Sequence, residues 1–529
     1  MIGQGRFWWR ALAAVFALAL VAAACGSDAD DDATGTETED SVDASDDEPS
    51  EDEETETSEP ADDADDANDA DDDADADTGG DSLSDDLLGT IENNFDAAWG
   101  IEDNVLSGPA GFSIDLNECP SDWSDTAGIT DTEIRIGGSF AQSGTLAGFF
   151  PWIESHDFLF NHLNKTEGGI DGREIIFEIK DDAYEPARAV TNVQELIETF
   201  EPFAFSTLGG TPNNLAVYDE INDACIPQMF SATGHPAWGD PVEHPWTIGS
   251  FLAYNTEARI WGQAIIDAID AGELTAPVDV AALVMNNDFG LAYKDAFEGF
   301  VEDNPDSFGE ITFELHDPSA PNVVNENTTL AGTEASVAII MSTGVYCTQT
   351  FDGVAQSSWE PSLKFVSATC SGIESWFQPA GQNGAGWRLT ASEKDLNDPA
   401  FADDETLQKV KAIIEDAGGD PSLSNHAKGM ATGIPTVEAL KRASLYPGGL
   451  TRTNLMLAIR SADFQSPMNL DGILWKTNGN DDAYPSEGAL ITEYTIEAGE
   501  ELGSHVPVSE IVSVEGTSGT CVYDGISCG

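Results

Sequence analysis

Residues 207–234 read TLGGTPNNLAVYDEINDACIPQMFSATG, so that two small, hydroxyl-bearing turns, GGT and SATG, bracket one helix-length segment. Thr211 followed by Pro212 is a good helix start, with Thr as N-cap and Pro as the first helical residue. The free N–H groups and the dipole of such a start favour an anionic group such as a carboxylate. Pro212 itself supplies no donor, and a cap that serves only its own helix is the alternative. This is binding chemistry rather than bond-making chemistry. The chain has no GxSxG elbow, no HExxH and no P-loop, and GGSFAQSG lacks the GxGxxG spacing of a nucleotide loop. Its 7 histidines are scattered; His156 and His162 are six apart, off a shared helical face, and read as surface residues. No CxxC or Cys/His cluster points to metal or redox work. No catalytic residue, metal or cofactor is expected.

The elements around these turns explain why they matter. EIRIGGSF (133–140) reads as a strand, WIESHDFLFNHLNKTEGGI as an amphipathic helix, REIIFEIKDD as a strand and AYEPARAVTNVQELIETF as a helix. PFAFSTL, NNLAVYDEINDA and IPQMFS continue the alternation. It pauses near 249–255 and resumes with AIIDAIDAG, VAALVMNN, AYKDAFEGFVED, ITFELHD, VAIIMST, FDGVAQSSW and LKFVSATC. A helical stretch near 404–460 and a last strand pair near LITEYTIE follow. Such alternation implies α/β units with parallel sheets and right-handed crossovers. FAFSTL, AALVM and VAIIM are apolar almost throughout, as strands covered on both faces should be. Ligands of open α/β sheets sit at the carboxyl ends of the strands, and GGT and SATG each follow a strand on that edge.

Length and composition set the surroundings. The 529 residues allow two or three domains. Arg6 and Arg10 precede an apolar run from Ala11 to Ala24, a signal peptide too short to span a membrane. VAAAC followed by Gly26 and Ser27 resembles the lipobox of bacterial lipoproteins, with Ala22 in place of the commoner leucine, which makes Cys25 the expected lipidation site. Residues 25–82 hold almost nothing to bury and no Lys or Arg, and read as a disordered acidic tether whose like charges extend it. The net charge is −78, and 28 of the 98 acids fall between Asp28 and Asp81, so the rest of the chain is itself strongly acidic. That balance excludes nucleic-acid binding, which wants a basic face. A saline habitat is one reading of it. With Cys25 lipidated, 6 of the 7 cysteines remain, an even number in an exported chain. Cys521 with Cys528 can close a tail loop and Cys347 with Cys370 end neighbouring strands, which leaves Cys119 with Cys225; six cysteines allow 15 connectivities.

IRIGGSFAQSGTLAGFF, HLNKTEGGIDGREIIFEIKDDAYEPARAV, the 207–234 stretch and ALVMNNDFGLAY, in that order, resemble the bacterial leucine-binding and amide-binding family of extracellular solute receptors that serve ABC importers. The EGGIDGREI turn and the pair Asp181–Asp182 after its strand carry the likeness, which extends from about Ile129 to about Glu497. It implies two Rossmann-like lobes joined by a multi-crossover hinge, the type I periplasmic binding protein fold. It also implies a small-molecule ligand held between the lobes, permease and ATPase partners, and a monomer on the outer side of the cell membrane. On this basis the chain divides into 1–24 signal peptide, 25–82 tether, 83–128 N-terminal extension, 129–252 plus about 388–472 as lobe 1, 253–387 plus about 473–515 as lobe 2, and a 516–529 tail.

Carried over by position, Thr211 matches the hydroxyl residue that binds the ligand carboxylate, and Ala232, Thr233 and Gly234 the turn that completes that site. Phe149 matches a first-lobe aromatic and Phe289 the aromatic that covers the ligand from the second lobe. One departure stands out. Where leucine-type receptors place a glutamate for the ligand ammonium, this chain reads FVSATCSG, with Thr369, Cys370 and Ser371. A buried ammonium without a carboxylate is costly. Glu374 or Asp288 are the candidate substitutes, and an amide, urea or organic acid is the rival ligand class. A lipoprotein that uses the same cleft to signal to a membrane partner is the alternative function.

Overall fold

The computed structural model describes residues 87–514. The expected signal peptide, Cys25, the whole of the expected tether, and Cys521 and Cys528 lie outside the described residues.

A short antiparallel ribbon comes first: β1 (Gly100–Glu102), β2 (Val105–Ser107) and β3 (Ser113–Asp115). Five parallel strands follow, β4 (Glu133–Phe140), β5 (Glu174–Asp181), β6 (Ala204–Ser206), β7 (Gln228–Ser231) and β8 (Thr247–Gly249), in the order β5-β4-β6-β7-β8. Helices α1 (Phe150–Glu167), α2 (Pro186–Glu195) and α3 (Thr211–Asp223) alternate with them. The second sheet begins after α4 (Tyr254–Asp270), with β9 (Val278–Met285), α5 (Asp288–Asp303), β10 (Phe308–His316), α6 (Val324–Ala331), β11 (Val337–Met341), α7 (Val345–Gln356), β12 (Leu363–Val366) and β13 (Arg388–Ala391). Strands β10-β9-β11-β12-β13 are parallel. The chain then returns to the first sheet through α8 (Glu405–Asp416), α9 (Asn425–Ser444) and α10 (Arg452–Ile459), and forms a small pair, β14 (Asp463–Phe464) and β15 (Trp475–Lys476). It ends on β16 (Gly488–Thr495), antiparallel to β13, with β17 (Ser504–Pro507) and β18 (Val512–Ser513) pairing with β16.

The local sequence accounts for these choices. Every residue of VAIIM in β11 is buried, as is all of β9 except Asp279, as expected where helices cover both sheet faces. Helix α8 starts at Asp404, whose carboxylate accepts from the Leu407 N–H at 3.0 Å. It then buries Leu407, Val410, Ile413 and Ile414, one helical stripe. Helix α9 differs, because it is buried nearly all round. It can lie this close to α1 because Gly429 has no side chain: a Cβ there would sit 2.1 Å from the Trp152 carbonyl oxygen and 2.5 Å from the Ser155 Cβ.

The N-terminal extension, which shows little pattern as sequence, packs on the body. Leu106, Phe112 and Ile114 join the core beside α10, and Asp125 accepts from the Thr453 N–H and hydroxyl at 2.8 and 2.7 Å. Cys119 is bonded to Cys225, and Cys347 to Cys370. The Cys225 carbonyl also accepts from the Trp123 indole at 2.8 Å. The reading of His156 as a surface residue is wrong. It is fully buried, 3.1 Å from the Ser206 Oγ and 2.9 Å from the Thr432 Oγ1, and burial holds its imidazole down at about 3. A helix sandwiched between a sheet and α9 has two buried faces, and six-residue spacing does not reveal the second. His162 is half-buried.

Two stability outcomes follow. Gly429→Ala is expected to destabilise by about 1–3 kcal/mol through overpacking at the α1–α9 contact, read as a lowered urea midpoint at unchanged slope. The Cys119–Cys225 bridge closes a span of 106 residues, and replacing both cysteines by Ser is expected to cost about 2–5 kcal/mol; an unchanged midpoint would show that the extension is held without it.

Candidate functional site

The loops that follow β4, β5, β6 and β7, and those that follow β9, β11 and β12, converge on one cavity of about 50 Å³. Phe140 ends β4, Leu146 and Phe149 follow it in the loop and Trp152 lies in the first turn of α1; Tyr184 comes from the loop after β5, Gly209 and Gly210 from that after β6 with Thr211 opening α3, and Ala232 from that after β7. The larger sheet contributes Phe289, Thr343 and Thr369, and Tyr254 opens α4. All of this lies at the carboxyl ends of parallel strands, where helix starts and loops present backbone groups that no ladder uses.

Glycine makes the third loop possible. Gly210 has φ +82°, and a Cβ there would sit 2.3 Å from the Tyr184 ring; at Gly209 it would sit 2.7 Å from the Phe140 ring. Two aromatic walls therefore rest directly on backbone. Tyr184 is held in place by the acidic pair before it. Asp182 accepts from the Tyr184 N–H at 2.8 Å and from the Ser139 hydroxyl at 2.9 Å, and burial pushes its carboxyl up to about 6. Asp181 accepts from the Gln142 N–H at 2.9 Å and the Ser143 N–H at 3.2 Å. Burial raises its pKa, but these bonds and the one from the Ser143 hydroxyl outweigh it and hold the group below its usual range. The Asn287 amide donates to the Tyr184 hydroxyl at 3.4 Å, which joins the loops after β5 and β9 across the cavity.

The polar end is a cluster of hydroxyls. Thr211 and Thr233, both buried, have their hydroxyl oxygens 2.6 Å apart, and the Tyr254 phenol lies beside this pair. Burial pushes that phenol well above its usual value, so it stays protonated at neutral pH. Gly210, not Thr211, is the residue that caps α3: its carbonyl accepts from the Asn214 N–H at 3.1 Å. Thr211 is thus the first helical residue, and its hydroxyl is released from capping to face Thr233.

The expected residues fall in three groups. Thr211, Ala232, Phe149 and Phe289 line the cavity. Thr233 and Gly234 support it, Thr233 through the hydroxyl pair and Gly234 by lying under the Tyr254 ring, 2.7 Å from where a Cβ would be. Asp288 is exposed, and neither it nor Glu374 is among the lining side chains; the Glu374 carboxylate accepts from the Ser375 hydroxyl at 3.0 Å. Phe289 stands edge-on to Tyr254, with ring centres 5.0 Å apart, and Phe149 packs on Trp376 at 5.1 Å. Sequence reasoning missed Tyr184, Tyr254, Phe140 and Thr343. The first follows the Asp181–Asp182 pair and the second sits at the pause between the two α/β units, and both positions are signals in hindsight.

Among the described residues, no acidic or basic side chain lines the cavity. The buried carboxylate nearest in sequence to Tyr254 is that of Glu257, and its oxygens are taken by the Tyr293 hydroxyl at 2.6 Å, the Ala368 N–H at 2.9 Å and the Thr390 hydroxyl. Burial pushes it up to about 7, with the Thr390 bond opposing. Lys428 approaches the Trp152 ring, 6.0 Å from its centre, but donates to Glu393 at 2.7 Å and to the Ala368 carbonyl at 3.2 Å. Thr343 is different again: its hydroxyl is buried at the cavity with no partner.

Comparison with known proteins agrees with this architecture. The family model described as periplasmic binding protein matches residues 133–486, about two thirds of the chain. No curated protein sequence matches. Among solved structures, a branched chain amino acid ABC transporter protein from Thermus thermophilus with bound valine is 16% identical with a TM-score of 0.62, over 73% of this chain and 97% of that one. A fatty acid ABC transporter substrate-binding protein from Thermomonospora curvata is 16% identical with a TM-score of 0.60, over 74% and 96%. A solute binding protein of an ABC transporter from Rhodopseudomonas palustris BisB5, in complex with 3,4-dihydroxy benzoic acid, is 16% identical with a TM-score of 0.58, over 72% and 98%. At this identity the structures share the fold. The chain therefore belongs to the periplasmic binding protein family, a family of solute binders rather than enzymes, and has its type I fold.

Proposed function

We propose that this chain is a lipid-anchored extracytoplasmic receptor that captures a small solute in the cavity between its two sheets and delivers it to the permease and ATPase subunits of an ABC importer. The observation that carries this reading is the convergence of seven strand-end loops on one cavity whose polar end is the Thr211–Thr233–Tyr254 hydroxyl cluster beside the start of α3. Such a cluster suits a carboxylate or amide oxygen, because the hydroxyls can donate to it and the helix start favours negative charge. The solutes of the similar proteins named above (valine, a fatty acid, a dihydroxybenzoic acid) share a carboxyl group. In this reading Cys25 carries the lipid, residues 25–82 hold the body away from the membrane, the two sheets and their helices form the two lobes, and the receptor acts as a single chain.

The first test is a thermal-shift screen of the protein against amino acids, amides, urea, polyamines and short organic acids. A ligand at 100 times its dissociation constant stabilises by about 2.7 kcal/mol, a readily visible shift; silence across every class would sink the receptor reading. For whichever solute binds, Thr211→Ala is expected to weaken affinity by roughly 1–3 kcal/mol. Unchanged affinity together with a lower melting temperature would assign Thr211 to the fold alone.

A further inference from the structure

The solute cavity is nearly closed. Among its walls Thr211 is 0% exposed, Tyr254 2%, Phe289 3% and Thr369 7%, so a solute reaches the hydroxyl pair after the walls part. The contacts that join first-sheet loops to second-sheet loops around the cavity decide where they part.

Toward the chain crossing at 391–398 the join is polar. The Ser424 hydroxyl accepts from the Glu374 N–H at 2.9 Å and donates to Asp395 at 3.1 Å, and Lys428 donates to the Ala368 carbonyl at 3.2 Å and to Glu393 at 2.7 Å. Between the loops after β5 and β9 one long bond, Asn287 to Tyr184, spans the gap. Between the loop after β4 and the wall made by Gly344 and Trp376 the join is packing. A Cβ at Gly344 would sit 2.8 Å from the Leu146 side chain and 3.6 Å from the Phe149 ring, and one at Gly148 would sit 3.1 Å from the Trp376 ring. The Phe149 and Trp376 rings are 5.1 Å apart. Trp376 is 5% exposed, and among the described residues its indole N–H has no partner, so packing alone seats the ring.

Each side of this apolar join is stiff by itself. Gln142 and Ser143 donate to Asp181 and Asn425 donates to the Gly148 carbonyl at 2.8 Å, so the loop moves with the first sheet. The Trp376 carbonyl accepts from the Thr348 hydroxyl at 2.7 Å and its N–H donates to Gly372 at 3.0 Å, so the ring moves with the second. Parting the packed faces strands no hydrogen-bonding group and gives the indole N–H a water. Opening the crossing edge breaks bonds to charged groups, at about 1.5–3 kcal/mol each. Asn425, which also donates to the Ser375 hydroxyl at 3.3 Å, marks the boundary between the two edges.

We infer that Trp376 is the catch of the cavity: solute enters and leaves as the loop bearing Leu146 and Phe149 parts from Gly344 and Trp376, while the crossing edge stays joined. Trp376 is not among the lining side chains, so it governs how long a solute is held rather than which solute is chosen. What passes the catch rests on the receptor reading above; the place of opening rests on the contacts alone.

A cysteine at Ala232, a small lining residue 7% exposed, tests this. In the full chain carrying Ala232→Cys, the new thiol reacts with a methanethiosulfonate reagent when the walls part, and the chain without the substitution gives the background. Adding Trp376→Leu, which keeps an apolar side chain but shrinks the catch, is expected to raise the rate about 10-fold, and Leu146→Ala, from the other face, about as much; either variant decides if the other does not fold. Ala282→Cys, at a fully buried position of β9, is expected to stay slow in both. An unchanged Ala232→Cys rate, an Ala282→Cys rate that rises in step, or a larger acceleration by Tyr184→Phe than by Trp376→Leu would each overturn the inference. If the rate is unchanged while the solute screen finds a ligand, the catch fails and the receptor stands; if the rate rises and the screen is silent, the catch stands and the receptor falls.

Discussion

Most of the molecule hangs on the contact that Gly429 permits between α9 and α1. Because nothing projects from that position toward the Trp152 carbonyl, α9 can be buried almost completely and still reach the region where the chain passes between sheets. From there Asn425 donates to the Gly148 carbonyl at 2.8 Å, in the loop that carries Phe149. One turn on, Lys428 donates to the Ala368 carbonyl beside Thr369. A further turn on, Thr432 receives the Trp152 indole at 3.1 Å and meets His156. One buried helix thus positions a loop on each wall of the cavity. Most of its buried polar groups are tolerated inside because they have partners, the Asn425 Oδ1 and His426 Nε2 being exceptions.

The same accounting explains the character of the cavity. Charged groups lie close behind its walls, but each is already satisfied: Asp182 by Ser139 and Tyr184, Glu257 by three donors, Lys428 by Glu393. Their work is to hold aromatic walls and loop backbones still. What remains for a ligand is a set of hydroxyls and aromatic faces, a neutral interior inside a very acidic protein. Selection by shape and by hydrogen-bond count follows, because such an interior offers hydroxyl donors and a helix start to an anionic oxygen and no carboxylate to a cation.

Much of the site was legible because its signals are local. GGT and SATG declare themselves as strand-end turns, and Thr211, Ala232, Phe149 and Phe289 all line the cavity those turns imply. The errors arose where a role depends on distant neighbours. Thr211 looked like a cap until Gly210 took that place. His156 looked exposed because nothing near it in sequence announces the second helix that covers it. Asp288 looked available because it adjoins Phe289, yet neighbouring residues on a helix point in different directions, and it faces solvent.

The sequence by itself determined the alternation of strands and helices, the apolar strands of a doubly covered sheet and the glycine-bearing loops at their ends, since these follow from short-range periodicity and backbone freedom. Only the tertiary structure decided that the N-terminal extension packs on the body, that Cys119 meets Cys225 across 106 residues, and that Tyr184, Tyr254, Thr343 and Thr369 share one cavity. The physical reason is that a cavity's chemistry is set by which groups remain unpaired after folding. That remainder depends on contacts between segments hundreds of residues apart.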